Sequence, residues 1–170
     1  MGCQYVRQES VFSNKAVLSS IDYILITHNH LDHCDPETLK ELLNHSLTSK
    51  IIGTIEVINF LKDIGFDSTR LLLCNCDSWT DITNEVKIIG TIAEHPQISV
   101  DKNGNYSNVG YIIDFNGSKI YHSGDTSLVD EVIEDVKSKG PIHAAFIPVN
   151  ERNYLREKEG IVGNMGIRDA

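Results

Sequence analysis

No apolar run in this chain approaches the roughly 18–20 residues a helix needs to cross a bilayer, so no membrane partner is expected. Basic residues are scarce and dispersed, 15 Lys and Arg against 24 Asp and Glu, for a net charge of −9. A surface of that sign repels phosphodiester backbones, so nucleic acid is not a favoured partner. No secretory leader is recognisable, and the 4 cysteines (Cys3, Cys34, Cys74 and Cys76) are expected as reduced thiols of a cytosolic protein. Cys74 and Cys76 are too close in sequence for the usual zinc-finger spacing. Internal repeats, low-complexity tracts and linkers are also missing. With 41% apolar residues, 170 residues are enough for one buried core, which excludes a disordered chain. A single domain spanning residues 1–170 is expected. Its abrupt ends suggest a fragment of a longer one.

What is present alternates between strand and helix signals. Residues 21–27 form a β-rich apolar run, read as a buried strand. Asp35 and Pro36 make an N-cap and first-turn pair, followed by Leu39, Leu42 and Leu43 at helical spacing. A short strand is predicted over Lys50–Gly53. Ile55, Ile58, Phe60 and Leu61 then give an apolar helix face that Gly65 stops. Further strands are predicted at 70–74 and 84–93. Asn116-Gly117 between 109–115 and 119–122 is the strongest hairpin signal. Leu128, Val132 and Val136 predict a helix over 127–139, and residues 144–149 read as a buried strand. The sum is a mixed α/β fold with helices covering one face of each sheet.

The chemistry concentrates in His28-Asn29-His30-Leu31-Asp32-His33, directly after the first strand. On an extended loop His28 and His30 point to one side and can chelate a metal. Asp32 and His33, past the bend, can serve a second. Imidazole with carboxylate suits Zn, Mn or Fe. His95 follows a predicted strand and would complete the first ligand set, although a lone strand-end histidine is more often structural. Asp125, in Ser123-Gly124-Asp125, can bridge two cations. The competing reading makes Asp125 or Ser127 the cap of the next helix. His122 is either a proton donor near the site or a surface histidine. Cys34 is read as packing, His45 as a partner of its helix C-terminus, and Trp79 as a partly buried aromatic.

This order of motifs resembles the metallo-β-lactamase superfamily. The resemblance implies an αββα sandwich with the site at one edge between its sheets. It implies two divalent metal ions, one held by His28, His30 and His95, the other by Asp32 and His33, with Asp125 shared. The segment from Ala144 through Asn150, Arg152 and Gly160 to Met165 resembles the L-ascorbate-6-phosphate lactonase-like branch, in which a Gly-Asn-Met segment opens a helix. The resemblance then implies a hydrolase of a small anionic metabolite, a lactone or ester, attacked by a metal-bound hydroxide. Asp32 and His122 are the candidate catalytic groups, and Arg152 and Asn164 the candidate anion-binding groups. The chain departs from the pattern twice. It has no suitable histidine after Asp125, since His143 precedes an apolar strand, and it lacks the strands that usually come before residue 21. An incomplete sandwich, an incomplete second metal site and an exposed apolar edge that favours a homo-oligomer are therefore expected. A phosphodiesterase or nuclease of the same fold, or a non-catalytic remnant, are the alternatives.

Overall fold

A computed structural model describes residues 15–150, 154–158 and 163–170. In chain order its elements are α1 (Lys15–Leu18), β1 (Tyr23–Ile26), α2 (Pro36–His45), β2 (Lys50–Gly53), α3 (Ile55–Asp63), β3 (Leu71–Leu73), β4 (Thr80–Asp81), β5 (Val86–Ile92), β6 (Val109–Phe115), β7 (Ser118–His122), α4 (Asp130–Ser138), β8 (Ala144–Phe146) and α5 (Tyr154–Lys158). They build a parallel three-stranded sheet, β1-β2-β3, and a five-stranded sheet, β4-β5-β6-β7-β8.

Alternation along the strands explains the layering. Ile26, Ile51 and Leu71 face α2 and α3, meeting Leu39, Leu43, Val57, Ile58 and Leu61. Their neighbours Leu25, Ile52 and Leu72 face the other way, against Ile88, Val109 and Tyr111 of the second sheet. Ile89, Ile112 and Tyr121, one residue out of phase, turn outward to Trp79, Val136 and Ile142. The order of layers is helix, sheet, sheet, helix, the αββα sandwich expected from the sequence. The Tyr111 hydroxyl pins the sheets together, donating toward the Ile26 carbonyl at 2.9 Å and the Ile52 carbonyl at 3.2 Å. Arg70 ties the ends of α2 and β2 from below through the carbonyls of Leu43, Ser46 and Ser49.

Local signals fix several element ends. The Asp35 carboxylate accepts from the Glu37 and Thr38 amides. Thr54 caps α3 through the Val57 amide. Asn116 and Gly117 both take positive φ, 50° and 90°, as a tight hairpin between right-twisted strands requires. The Trp79 ring is partly buried, with the ammonium groups of Lys87 and Lys119 each 5.1 Å from its centre.

Three expectations need correction. Residues 144–149 do not form a buried strand: β8 covers only Ala144–Phe146 and all three are exposed, Phe146 at 63%. As the edge strand of its sheet it pairs with β7 alone, and no described element covers its faces. The helix predicted from 127 starts at Asp130, with Val129 at its N-cap and no side-chain cap bond, so Leu128 lies exposed outside it. The Gly-Asn-Met segment opens no helix within its described residues. Residues 163–166 are irregular and lead into a turn.

Candidate metal centre

Two loops at one end of the sandwich carry most of the histidines. β1 is half-buried and ends at the buried Ile26, so residues 27–33 emerge where the sheets meet. His28 is 1% exposed and His95 7%, whereas His30 lies at the surface. His28 Nε2 is 3.1 Å from His30 Nδ1, and His95 Nε2 is 3.4 Å from that same atom. Donor atoms around a tetrahedral ion with bonds of about 2.0–2.1 Å stand roughly 3.3–3.4 Å apart. The three imidazoles therefore already have the spacing of a ligand set.

A second group shares His28 and adds His33 and Asp125. The Asp125 carboxylate lies 3.5 Å from His33 Nε2 and 3.8 Å from His95 Nε2, placing it between the two groups. Its position comes from the Ser-Gly-Asp turn after β7. Gly124 adopts φ +61°, and a Cβ there would lie 2.9 Å from Thr27 side-chain atoms and from the Val109 carbonyl. Only glycine lets the turn press this close to the first loop. With α4 beginning at Asp130, neither Asp125 nor Ser127 is its cap, which removes the competing structural reading.

Electrostatics acts differently on the several donors. Burial, helped by the neighbouring rings of His33, His30 and His95, lowers the His28 pKa to about 3. Burial likewise lowers His95. A hydrogen bond to Asp125 raises His33. Burial pushes the Asp125 carboxyl up, but the His33 and Asn164 donors beside it outweigh that and hold it below the usual carboxylate range. Burial thus favours the neutral, metal-binding form of His28 and His95 beside an ionised Asp125, whereas the Asp125 contact favours a proton on His33 that a bound ion would have to displace.

These shifts set the pH response of the metal-free chain. An unfolded His28 takes a proton near 6.5, while the folded one resists it down to about 3. Its contribution to stability is thus complete above 6.5 and falls as pH drops through that window, by at most about 1.4 kcal/mol per pH unit for one proton. His95 acts in the same direction. His33 opposes them, because its raised pKa favours folding below 6.5 and that help fades as pH rises through its folded value. The His28 shift is the large one, so the urea midpoint of chelator-treated protein should fall as pH drops below 6.5. A midpoint that stays level there would contradict a neutral, buried His28.

The remaining candidates are placed as follows. Asp32 has its side chain 64% exposed, with its carboxylate 3.7 Å from His33 Nε2 of the second group. His122 is exposed, and its Nδ1 accepts the Gly124 amide at 3.0 Å, so it braces the Ser-Gly-Asp turn. Asn164 is 4% exposed, with its amide beside His95 and Asp125 but in no full hydrogen bond among the described residues. Arg152 lies outside the described residues. His143 is engaged elsewhere, its Nδ1 accepting the Lys119 amide at 2.9 Å. His45 pairs with Glu41 at 3.0 Å and Cys34 is fully buried.

Sequence reasoning missed two supports. The Thr27 hydroxyl lies 3.0 Å from His28 Nδ1, fixing the ring so that Nε2 faces the centre. The Asn108 amide holds the His95 carbonyl at 3.0 Å. A hydroxyl adjoining the first ligand in sequence was the available signal for Thr27. Nothing local marks Asn108.

The layers and the histidine-aspartate cluster at their rim define a metallo-β-lactamase-type fold with groups able to bind metal. The family model for the beta-lactamase superfamily domain matches residues 4–170, and the chain belongs to that family. A UPF0173 metal-dependent hydrolase of Methanosphaera stadtmanae is 31% identical over 155 residues, covering 88% of this chain and 58% of that protein. One from Thermoplasma acidophilum is 33% identical over 141 residues, covering 82% and 57%. The chain thus spans somewhat over half the length of these curated relatives. Among solved structures, the metallo-beta-lactamase fold protein YhfI of Bacillus subtilis matches with a TM-score of 0.60 at 13% identity, covering 85% of this chain and 56% of that one, a likeness of fold.

Proposed function

We propose that this chain carries the metal centre of a cytoplasmic hydrolase acting on a small anionic metabolite, a lactone or ester such as a sugar-acid lactone phosphate. The observation that carries the reading is the convergence of His28, His30 and His95 at ligand spacing with His33 and Asp125 alongside. The names of the relatives, metal-dependent hydrolases, support it. Divalent ions bound there, two of Mn, Zn or Fe with the second less fully held, would supply Lewis acidity and lower the pKa of a coordinated water.

The chain's own groups do the rest. Asp32, on the open rim, is placed to take a proton from an incoming water. His122, with Nδ1 bound to the turn, has Nε2 left for proton transfer. Asn164 and Arg152 would orient the substrate's anionic group, Asn164 from beside Asp125. The acidic surplus favours a small anion with few charges over a nucleic acid. Self-association through the exposed β8 edge is part of this reading, and sedimentation across a concentration series tests it, a monomer throughout counting against it.

The deciding experiment loads the purified chain with Mn or Zn, counts bound metal, and assays a sugar-acid lactone phosphate beside a model phosphodiester. Metal-dependent lactone opening is expected. Cleavage of the diester alone would replace the substrate class. A chain that takes up no metal would overturn the whole reading.

A further inference from the structure

Away from the metal centre, two cysteines share one hollow. Cys74 follows β3, its amide bound to the Gly53 carbonyl at 2.8 Å. Cys76 comes after the intervening Asn75, whose carbonyl accepts the Gly90 amide at 2.8 Å. A Cβ on Gly90 would lie 2.6 Å from both the Cys74 and the Cys76 sulfur. The sulfurs are therefore separated by no more than twice that distance, above a position that only glycine leaves open. Both are free thiols. The Asn75 side chain fixes the turn, accepting from the Asp77 and Ser78 amides and donating to the Ser78 hydroxyl. This loop lines an open cavity of about 220 Å³, faced by Thr54 and Tyr106. Cys74 and Cys76 are both partly exposed and are among its lining residues.

We propose that Cys74 and Cys76 are a redox-active dithiol that closes to an intramolecular disulfide on exchange with a small-molecule disulfide. Residues two apart have α-carbons at most about 7.2 Å apart even when fully extended, and any bend of the loop brings them within the roughly 4.4–6.8 Å range of disulfides. The reaction has two steps. The Cys76 thiolate attacks one sulfur of the small disulfide, forming a mixed disulfide and releasing one small thiolate, which takes a proton. Cys74 then loses its proton and attacks the Cys76 sulfur, expelling the second small thiol. Two electrons and two protons pass from the protein to the reagent. The order follows from the surroundings: the hydrogen bond from Cys74, with the Lys139 charge nearby, holds Cys76 below the ordinary thiol range despite burial. The same bond and burial hold Cys74 well above it. Cys34 is an internal control, since burial raises its thiol to about 11.

The test uses the whole chain carrying Cys3→Ser, incubated with oxidised glutathione at neutral pH and read by intact mass and peptide mapping. The expected product has lost two hydrogens, carries no glutathione, and links 74 to 76. Cys74→Ser should stall with one glutathione on Cys76, and Cys76→Ser should not form the bridge. Alkylation of Cys76 should be at least about tenfold faster than that of Cys34. Glutathione retained on both cysteines, thiols unchanged after reduced controls have been matched, or no adduct on the Cys74→Ser chain would each overturn the proposal.

Discussion

Replacing His28 by alanine is expected to empty both halves of the metal centre at once. His28 is the one residue common to the two ligand groups, and it is almost fully buried. Its loss takes one of three imidazoles from the first group and one of three ligands from the second. Affinity of a divalent ion depends on ligand count and geometry, and an ion left with two protein donors is held poorly. If the proposed hydrolase chemistry depends on those ions, kcat/KM should drop by at least about a thousandfold, roughly 4 kcal/mol of transition-state stabilisation. Metal counting reads the first effect directly. His45→Ala is the matched control, because His45 contacts Glu41 on α2 and not the centre. A His28→Ala chain that still binds two ions with unchanged affinity would refute the shared ligand.

Gly124→Ala should be nearly as damaging, through a different route. Alanine must adopt φ +61° there, at a cost of about 1–2 kcal/mol. Its methyl must also displace Thr27 atoms and the Val109 carbonyl from 2.9 Å, an overpacking cost of about 1–3 kcal/mol. A total loss near 2–5 kcal/mol should appear as a lower urea midpoint with an unchanged slope. Thr27 holds His28, and Asp125 is the next residue, so metal affinity should fall about 10–100-fold as well. Gly117→Ala separates the two costs. Gly117 has φ +90° but nothing within 4 Å of the added methyl, so only the conformational part should remain. Equal losses at the two positions would mean that the close approach at Gly124 is not what matters.

The legible parts of the structure were those written in local chemistry. Asp35-Pro36 and Asn116-Gly117 fix their elements through caps and φ values that neighbours in sequence determine. The spacing of His28, His30 and His33 likewise placed three donors on one strand-end loop. Other parts were not legible, for different reasons. An apolar run at 144–149 reads as buried, yet burial needs a covering layer, and β8 has none among the described elements. The helix after Asp125 starts late because no side chain caps it, so the apolar period alone placed its first turn wrongly at Ser127. Asp32 sits between two ligands in sequence, yet its carboxylate is 64% exposed and meets the centre at His33 Nε2, 3.7 Å away, on the bend closed by the His33 and Cys34 amides on the His30 carbonyl.

The donors of the centre are split between the two sheets: His28, His30 and His33 leave β1, while His95 and Asp125 follow β5 and β7. An ion bound there would be a rivet through both layers of the sandwich, beyond the end of β1, where the Ile26 carbonyl already takes the Tyr111 hydroxyl. Its binding free energy is then added to the cohesion of the layers themselves, growing with free-ion concentration. Scarcity of metal would loosen the architecture as well as silence any chemistry.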